Sequence, residues 1–190
     1  MIGSRRSAVG SASRRSADGE TDPVEAARSL CLQLLTGAPR TRAQLAAALK
    51  RHGVPAEAAQ TVLARLSDVG LVDDRAFAEA WVSSRHLGRG LGRRALTAEL
   101  RVRGVDDGTI TEAVGALSPE GERAAARALV DRRLSGTAAL APQVRLRRLA
   151  GMLIRKGYPS GLAVAVVREA LSEQGQQVDE PVLDDEDAQG

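Results

Sequence analysis

The sequence predicts an all-α fold built as three tandem three-helix repeats, and three observations support this. Apolar residues recur at helical spacing from about residue 23 to residue 173, and no segment sustains the two-residue alternation of a strand. Prolines and capping side chains open the apolar runs, and glycines close most of them. The same helical pattern also occurs three times in one register.

The elements follow in order. A first helix is expected near 23–36, opening at Pro23. A second, near 41–52, starts at Thr41 and Gln44, a T-x-x-Q capping box in which each side chain can satisfy a free backbone N–H. A third follows Pro55, near 55–69. The acidic pairs Asp73-Asp74 and Asp106-Asp107 open helices near 73–87 and 106–116, where capping and the helix dipole favour carboxylates. Between those two lies a helix near 92–103. Pro119, Pro142 and Pro159 open the last three, near 119–135, 142–156 and 159–173. Gly37, Gly53, Gly70, Gly104, Gly136 and Gly157 stand at helix ends, where a left-handed cap is expected.

The repeat is read from three stretches, TRAQLAAALKRHGV, GRRALTAELRVRGV and RLRRLAGMLIRKGY, which align without gaps. Leu45, Leu96 and Leu149 share one apolar position, and Leu49, Leu100 and Leu153 share the next. Gly53, Gly104 and Gly157 follow, at spacings of 51 and 53 residues. The repeats are expected to span 23–70, 71–117 and 118–174. Units this small bury too little surface alone and gain stability by stacking, which predicts an elongated, curved body. Residues 1–22, rich in Ser, Gly, Ala and Arg, and the acidic 175–190 carry too little apolar surface to offset the entropy of ordering, and are expected to be disordered.

Composition narrows the function. Phe77, Trp81 and Tyr158 are the only aromatics, too few for a base-stacking domain. Cys31 is alone, which excludes an internal disulfide framework and a multi-cysteine zinc site, and its leucine neighbours mark it as a small buried hydrophobe. The two histidines, His52 and His86, lack ligand spacing, so no metal or other cofactor is expected. The GRGLG run at 88–92 follows no strand and carries no lysine, so a flexible joint is expected there rather than a phosphate cradle. No constellation for catalysis emerges. No apolar run approaches a membrane span and no secretory signal is recognisable, so a cytoplasmic protein is expected.

Charge is more informative. Residues 23–172 carry a net charge of +9, whereas 173–190 hold seven acids and no base. A basic body of this kind suits nucleic acid or an acidic protein surface. Arg85, Arg89, Arg93, Arg94, Arg101 and Arg103 crowd one stretch whose only acid is Glu99, and Arg145, Arg147, Arg148, Arg155 and Lys156 form a second cluster. On its helix Arg145 shares a face with Arg148, opposite Leu146, Leu149 and Leu153. The candidate binding residues are Arg85, Arg89, Arg93, Arg94, Arg103, Arg145, Arg148 and Arg155, read against the plainer alternative of a solvated face. Phe77 and Trp81, four residues apart on one face, are expected to anchor packing in the middle repeat, with a stacking platform as the lesser reading.

Residues 70–105 carry a further signal in Gly70-Leu71, Asp73-Asp74, Phe77-Ala78, Arg85, Gly92, Arg94, Glu99-Leu100 and Gly104-Val105. This stretch closely resembles the signature of the RecX family of recombination regulators. The resemblance covers about residues 24–172 and weakens through the first repeat to the third. Ala95 departs from it, standing where a larger aliphatic residue is expected. The resemblance implies three tandem three-helix repeats and no enzymatic activity. It implies a monomer that lodges in the groove of the RecA–DNA filament and restrains its ATP hydrolysis, strand exchange and repressor cleavage, with sequence-independent DNA contact as a further possibility. The alternative is a stand-alone helix-turn-helix regulator, which should present Arg, Asn or Gln to base edges; the chain contains no Asn.

Overall fold

A computed structural model describes residues 22–176; of the segments expected to be disordered, 1–22 and 175–190, all but Asp22, Gly175 and Gln176 lie outside the described residues, and Asp22 and Gln176 are held by hydrogen bonds to α1 and to Arg145. Among those residues the chain forms nine α-helices and no strand. These are α1 (Pro23–Gly37), α2 (Arg42–Arg51), α3 (Ala56–Asp68), α4 (Asp74–Arg89), α5 (Arg93–Val102), α6 (Asp107–Gly115), α7 (Pro119–Leu134), α8 (Pro142–Arg155) and α9 (Ser160–Ser172), with one 3₁₀ turn at Ser135–Thr137. Every end falls within two residues of its expected position.

Capping explains the starts. Asp22, Thr41, Asp73, Asp106 and Ser118 each accept a backbone N–H from the first turn of their helix, a contact worth about 1 kcal/mol apiece. The capping box at Thr41 is complete, with Gln44 accepting from the Thr41 backbone. The stops are mixed. Left-handed glycines end segments at Gly53, Gly70, Gly104 and Gly157 as expected, but Gly37 and Gly136 are not left-handed. Gly37 is the last residue of α1 and is followed by an extended Ala38; Gly136 lies inside the 3₁₀ turn.

Three separate cores hold the helices in triplets. Ala27, Cys31, Leu45, Leu49, Leu63 and Leu66 fill the first, formed by α1–α3. Ala78, Val82, Leu96, Leu100, Ile110 and Val114 fill the second, formed by α4–α6. Leu129, Val130, Leu146, Leu153, Tyr158 and Val167 belong to the third, formed by α7–α9. Extensive helix–helix packing occurs within triplets rather than between them.

The triplets meet through two equivalent junctions. At the first, the Thr41 hydroxyl donates to the Arg103 carbonyl at 2.6 Å, and a Cβ on Gly104 would lie 2.4 Å from the Ala43 Cβ. At the second, Gly92 occupies the register of Thr41, and its N–H donates to the Lys156 carbonyl at 2.8 Å. A Cβ on Gly157 would lie 2.3 Å from the Ala95 nitrogen, and one on Gly92 would lie 2.7 Å from the Gly157 carbonyl. The small Ala95 is the residue that permits this approach. In each case the first turn of a middle helix sits on the glycine ending the next triplet's middle helix. The GRGLG run is therefore a packed joint, not a loose one: Gly90 is left-handed and abuts Leu129, and its carbonyl accepts from the Tyr158 hydroxyl at 3.2 Å. Burial, helped by the Glu122 carboxylate and opposed by Arg132, pushes the Tyr158 phenol up to about 12.

Two predictions test the second junction. Gly157→Ala should cost about 3 kcal/mol or more in chemical denaturation, because left-handed strain and a backbone clash add. Gly53→Ala, equally left-handed but facing open space, should cost only about 1–2 kcal/mol. For Tyr158, the folded chain favours the protonated phenol over an open-chain value of about 10. Its contribution is whole below about pH 10 and is lost as pH rises through about 12. Stability measured across that window should fall in the parent chain and lose this component in Tyr158→Phe.

Candidate functional site

The second junction also gathers positive charge. The Lys156 ammonium at the end of α8 donates to the Arg89 carbonyl at the end of α4, at 2.7 Å, and the Arg94 N–H donates to the Gly157 carbonyl at 3.1 Å. Arg89, Arg93, Arg94 and Lys156 are thus brought to one place from three helix ends, with Arg155 adjoining.

The start of α5 is electrostatically costly. Arg93 and Arg94 occupy its first turn, the N-cap Gly92 offers no side chain, and no acid lies in that turn. Cations at a helix N-terminus oppose its dipole. The buried Glu122 of α7 offsets part of this, accepting from the Arg93 backbone N–H at 3.2 Å and from Arg93 Nε at 3.0 Å. Arg93 also donates to the Leu117 carbonyl. Arg93 is therefore tied into the junction, whereas Arg94 is exposed and its side chain has no partner among the described residues.

The other sequence candidates divide similarly. The side chains of Arg89, Arg148 and Arg155 are exposed and unpartnered among the described residues. Arg85 and Arg103 are half-buried against Trp81, their guanidinium carbons 4.1 and 3.6 Å from the ring centroid. Glu99 completes this cluster, accepting from the Trp81 indole N–H at 2.7 Å. Burial pulls the Arg103 guanidinium below its ordinary value; Glu99 opposes that shift and Arg85 adds to it. Phe77 stacks on Trp81 with centroids 5.7 Å apart, and both rings pack against the middle core, in line with an anchoring role.

Arg145 is a correction. It does not share an open face with Arg148 but is 1% exposed. Its guanidinium donates to the Leu134 carbonyl at 3.1 Å, Thr137 Oγ1 at 3.2 Å, Gln174 Oε1 at 2.8 Å and Gln176 Oε1 at 2.6 Å. It ties the ends of α7 and α9 to α8, with four of its five N–H donors engaged inside the triplet. The sequence held the signal: Arg145 lies four residues before Leu149 on the buried stripe, in the register of Thr41 and Gly92, which are themselves buried. Sequence reasoning also passed over Arg40, half-buried at a cleft between the first two triplets, because nothing in its local pattern distinguishes it from a solvated loop arginine.

Among the described residues no group of His, Cys, Asp and Glu could hold a metal, and no helix is long and apolar enough to cross a membrane. Removing Arg145 should expose its role as a buried clamp. Arg145→Ala should lose about 3 kcal/mol of stability, through stranded carbonyl and amide acceptors. Arg148→Ala should stay within about 0.5 kcal/mol of the parent in the same denaturation experiment.

Comparison with known proteins agrees with this architecture triplet by triplet. Family models described as the first, second and third three-helix domains of RecX match residues 27–66, 73–114 and 120–167. The chain is 54% identical over 177 residues to a protein of Thermobifida fusca named regulatory protein RecX, covering 88% of this chain and 96% of the relative. It is 57% identical over 166 residues to one of the same name from Streptomyces coelicolor, covering 86% and 88%. The crystal structure of RecX from Lactobacillus salivarius superimposes with a TM-score of 0.74 at 17% identity, covering 78% of this chain and 96% of that one.

Proposed function

Since this chain belongs to the RecX family of regulatory proteins, we propose that it binds the RecA filament on DNA and restrains its ATPase, strand-exchange and coprotease activities in recombinational repair and the SOS response. It does so as a cytoplasmic monomer without catalysis of its own. The observation that carries the reading is the set of exposed arginines without a partner among the described residues, Arg89, Arg94 and Arg155, held at a packed joint between triplets, with Arg148 two turns earlier on α8. Such groups suit the carboxylates of a protein surface or the phosphates of DNA, and several modest contacts along one body reinforce one another through effective concentration. Placing Arg94 in the first turn of α5 lowers local stability, a conflict of the kind that marks binding surfaces.

The test follows ATP turnover by RecA filaments on single-stranded DNA with the chain added below stoichiometry. The parent should inhibit. Arg89→Glu combined with Arg94→Glu should raise the half-inhibitory concentration about tenfold or more at low salt, with melting no lower than the parent's, since a carboxylate in the first turn of α5 suits its dipole. Inhibition by the parent should weaken as salt rises. A tight, sequence-selective duplex complex without RecA, together with no effect on turnover, would overturn the reading in favour of a stand-alone DNA-binding regulator.

A further inference from the structure

A cleft of about 510 Å³ opens between the first and second triplets, away from the arginine joint. Leu35, Arg40, Leu71, Phe77, Trp81 and Arg85 line it. Leu71 is 55% exposed, and Val69 beside it is more exposed still, an unusual placement for two large apolar residues in a turn. Arg40 is half-buried and makes no hydrogen bond or ion pair among the described residues; its Nε is shielded from solvent without an acceptor. A shielded guanidinium N–H without an acceptor is costly, and a carboxylate entering the cleft would supply one to the guanidinium.

The cleft is poorly suited to nucleic acid. Arg40 is the only cation of the cleft left without a partner among the described residues, too little for the repeating charge of a phosphate backbone, and the Asp73 carboxylate is engaged in capping α4. The Trp81 ring, which a base would need for stacking, is already packed by Phe77, Arg85 and Arg103. What remains is an apolar floor with one unsatisfied arginine and a second, Arg85, held 3.9 Å from Glu99.

We propose that the cleft between the first two triplets is a docking site for a peptide segment of a partner protein that carries a large aliphatic side chain beside a carboxylate. The aliphatic group packs on Leu71, Phe77 and Leu35, and the carboxylate pairs with Arg40. The inference rests on the function proposed above in taking the RecA filament as that partner, and it adds a largely apolar contact distinct from the salt-sensitive arginine joint.

The variants are Leu71→Asp and Arg40→Gln, both outside the buried cores and expected to melt like the parent. Each should raise the half-inhibitory concentration on RecA filaments about tenfold. The Leu71→Asp loss should persist at high salt, where the Arg89→Glu/Arg94→Glu loss fades. Trp81 is the chain's single tryptophan, so its emission reports the cleft directly. A short acidic peptide carrying two leucines should shift that emission in the full chain, its alanine counterpart should not, and Leu71→Asp should abolish the shift. No peptide shift, together with parent-like inhibition by both variants, overturns the inference. An equal shift from single-stranded DNA alone overturns it in favour of nucleic acid. A change in emission on removing residues 177–190 overturns it in favour of the chain's own acidic tail. A parent chain that leaves filament turnover untouched while the peptide still binds refutes the proposed function and leaves the docking site standing.

Discussion

The arrangement of this protein depends on a backbone approach that leaves no room for a Cβ. Each triplet has its own hydrophobic core, so core packing does not decide how one triplet sits on the next. That task falls to two small junctions, where the first turn of a middle helix lies on the left-handed glycine ending the following triplet's middle helix. The second is the tighter one. Gly92 and Gly157 face each other so closely that a side chain on either would strike main-chain atoms of the other element. A contact made of backbone cannot shift by changing rotamer, so it fixes orientation more firmly than side-chain packing of the same area would.

The outer triplets differ from the middle one in these junctions. Gly53 occupies the position that Gly104 and Gly157 fill elsewhere, and no helix start among the described residues covers it. At the opposite end α8 begins at Pro142, before the register at which α2 and α5 start, and the aligned position holds Arg145 instead of Thr41 or Gly92. A long side chain turned inward there binds the helix ends of its own triplet. Terminal units of a repeat array must differ from internal ones in this way. The departure of the third repeat from the shared pattern is therefore structural: the position that packs against a neighbouring triplet elsewhere is here turned into its own.

Much of this was legible in the sequence, and the reason is periodicity. Leu45, Leu96 and Leu149 declare the repeat because burial imposes the same residue type wherever the same helix face meets a core. Thr41, Asp73 and Asp106 declare helix starts because a cap is a local bond. Contacts between triplets were not legible, since they join residues far apart in the chain and use backbone atoms that every residue possesses. Gly90 read as a flexible joint because a glycine signals conformational freedom and says nothing of what packs against it. Arg145 read as exposed because a charge on an amphipathic helix is usually solvated; only its register with two buried positions pointed the other way.

What the arginines can do follows from the same rigidity. A flexible chain bearing Arg89, Arg94 and Arg155 would lose configurational entropy each time it engaged a surface, and much of the attraction would be spent ordering it. Here three helix ends meet at an unyielding joint, and the charges are positioned before any partner arrives. Glu122 reveals the other half of the arrangement. It neutralises Arg93, the residue whose backbone N–H it caps, and leaves the Arg94 side chain beside it without a partner among the described residues. One arginine of the pair thus secures the joint between triplets, while the side chain of the other is exposed and makes no hydrogen bond or ion pair among the described residues. The contact proposed for Arg94 therefore depends on a joint stable enough to hold that arginine against the dipole of its own helix.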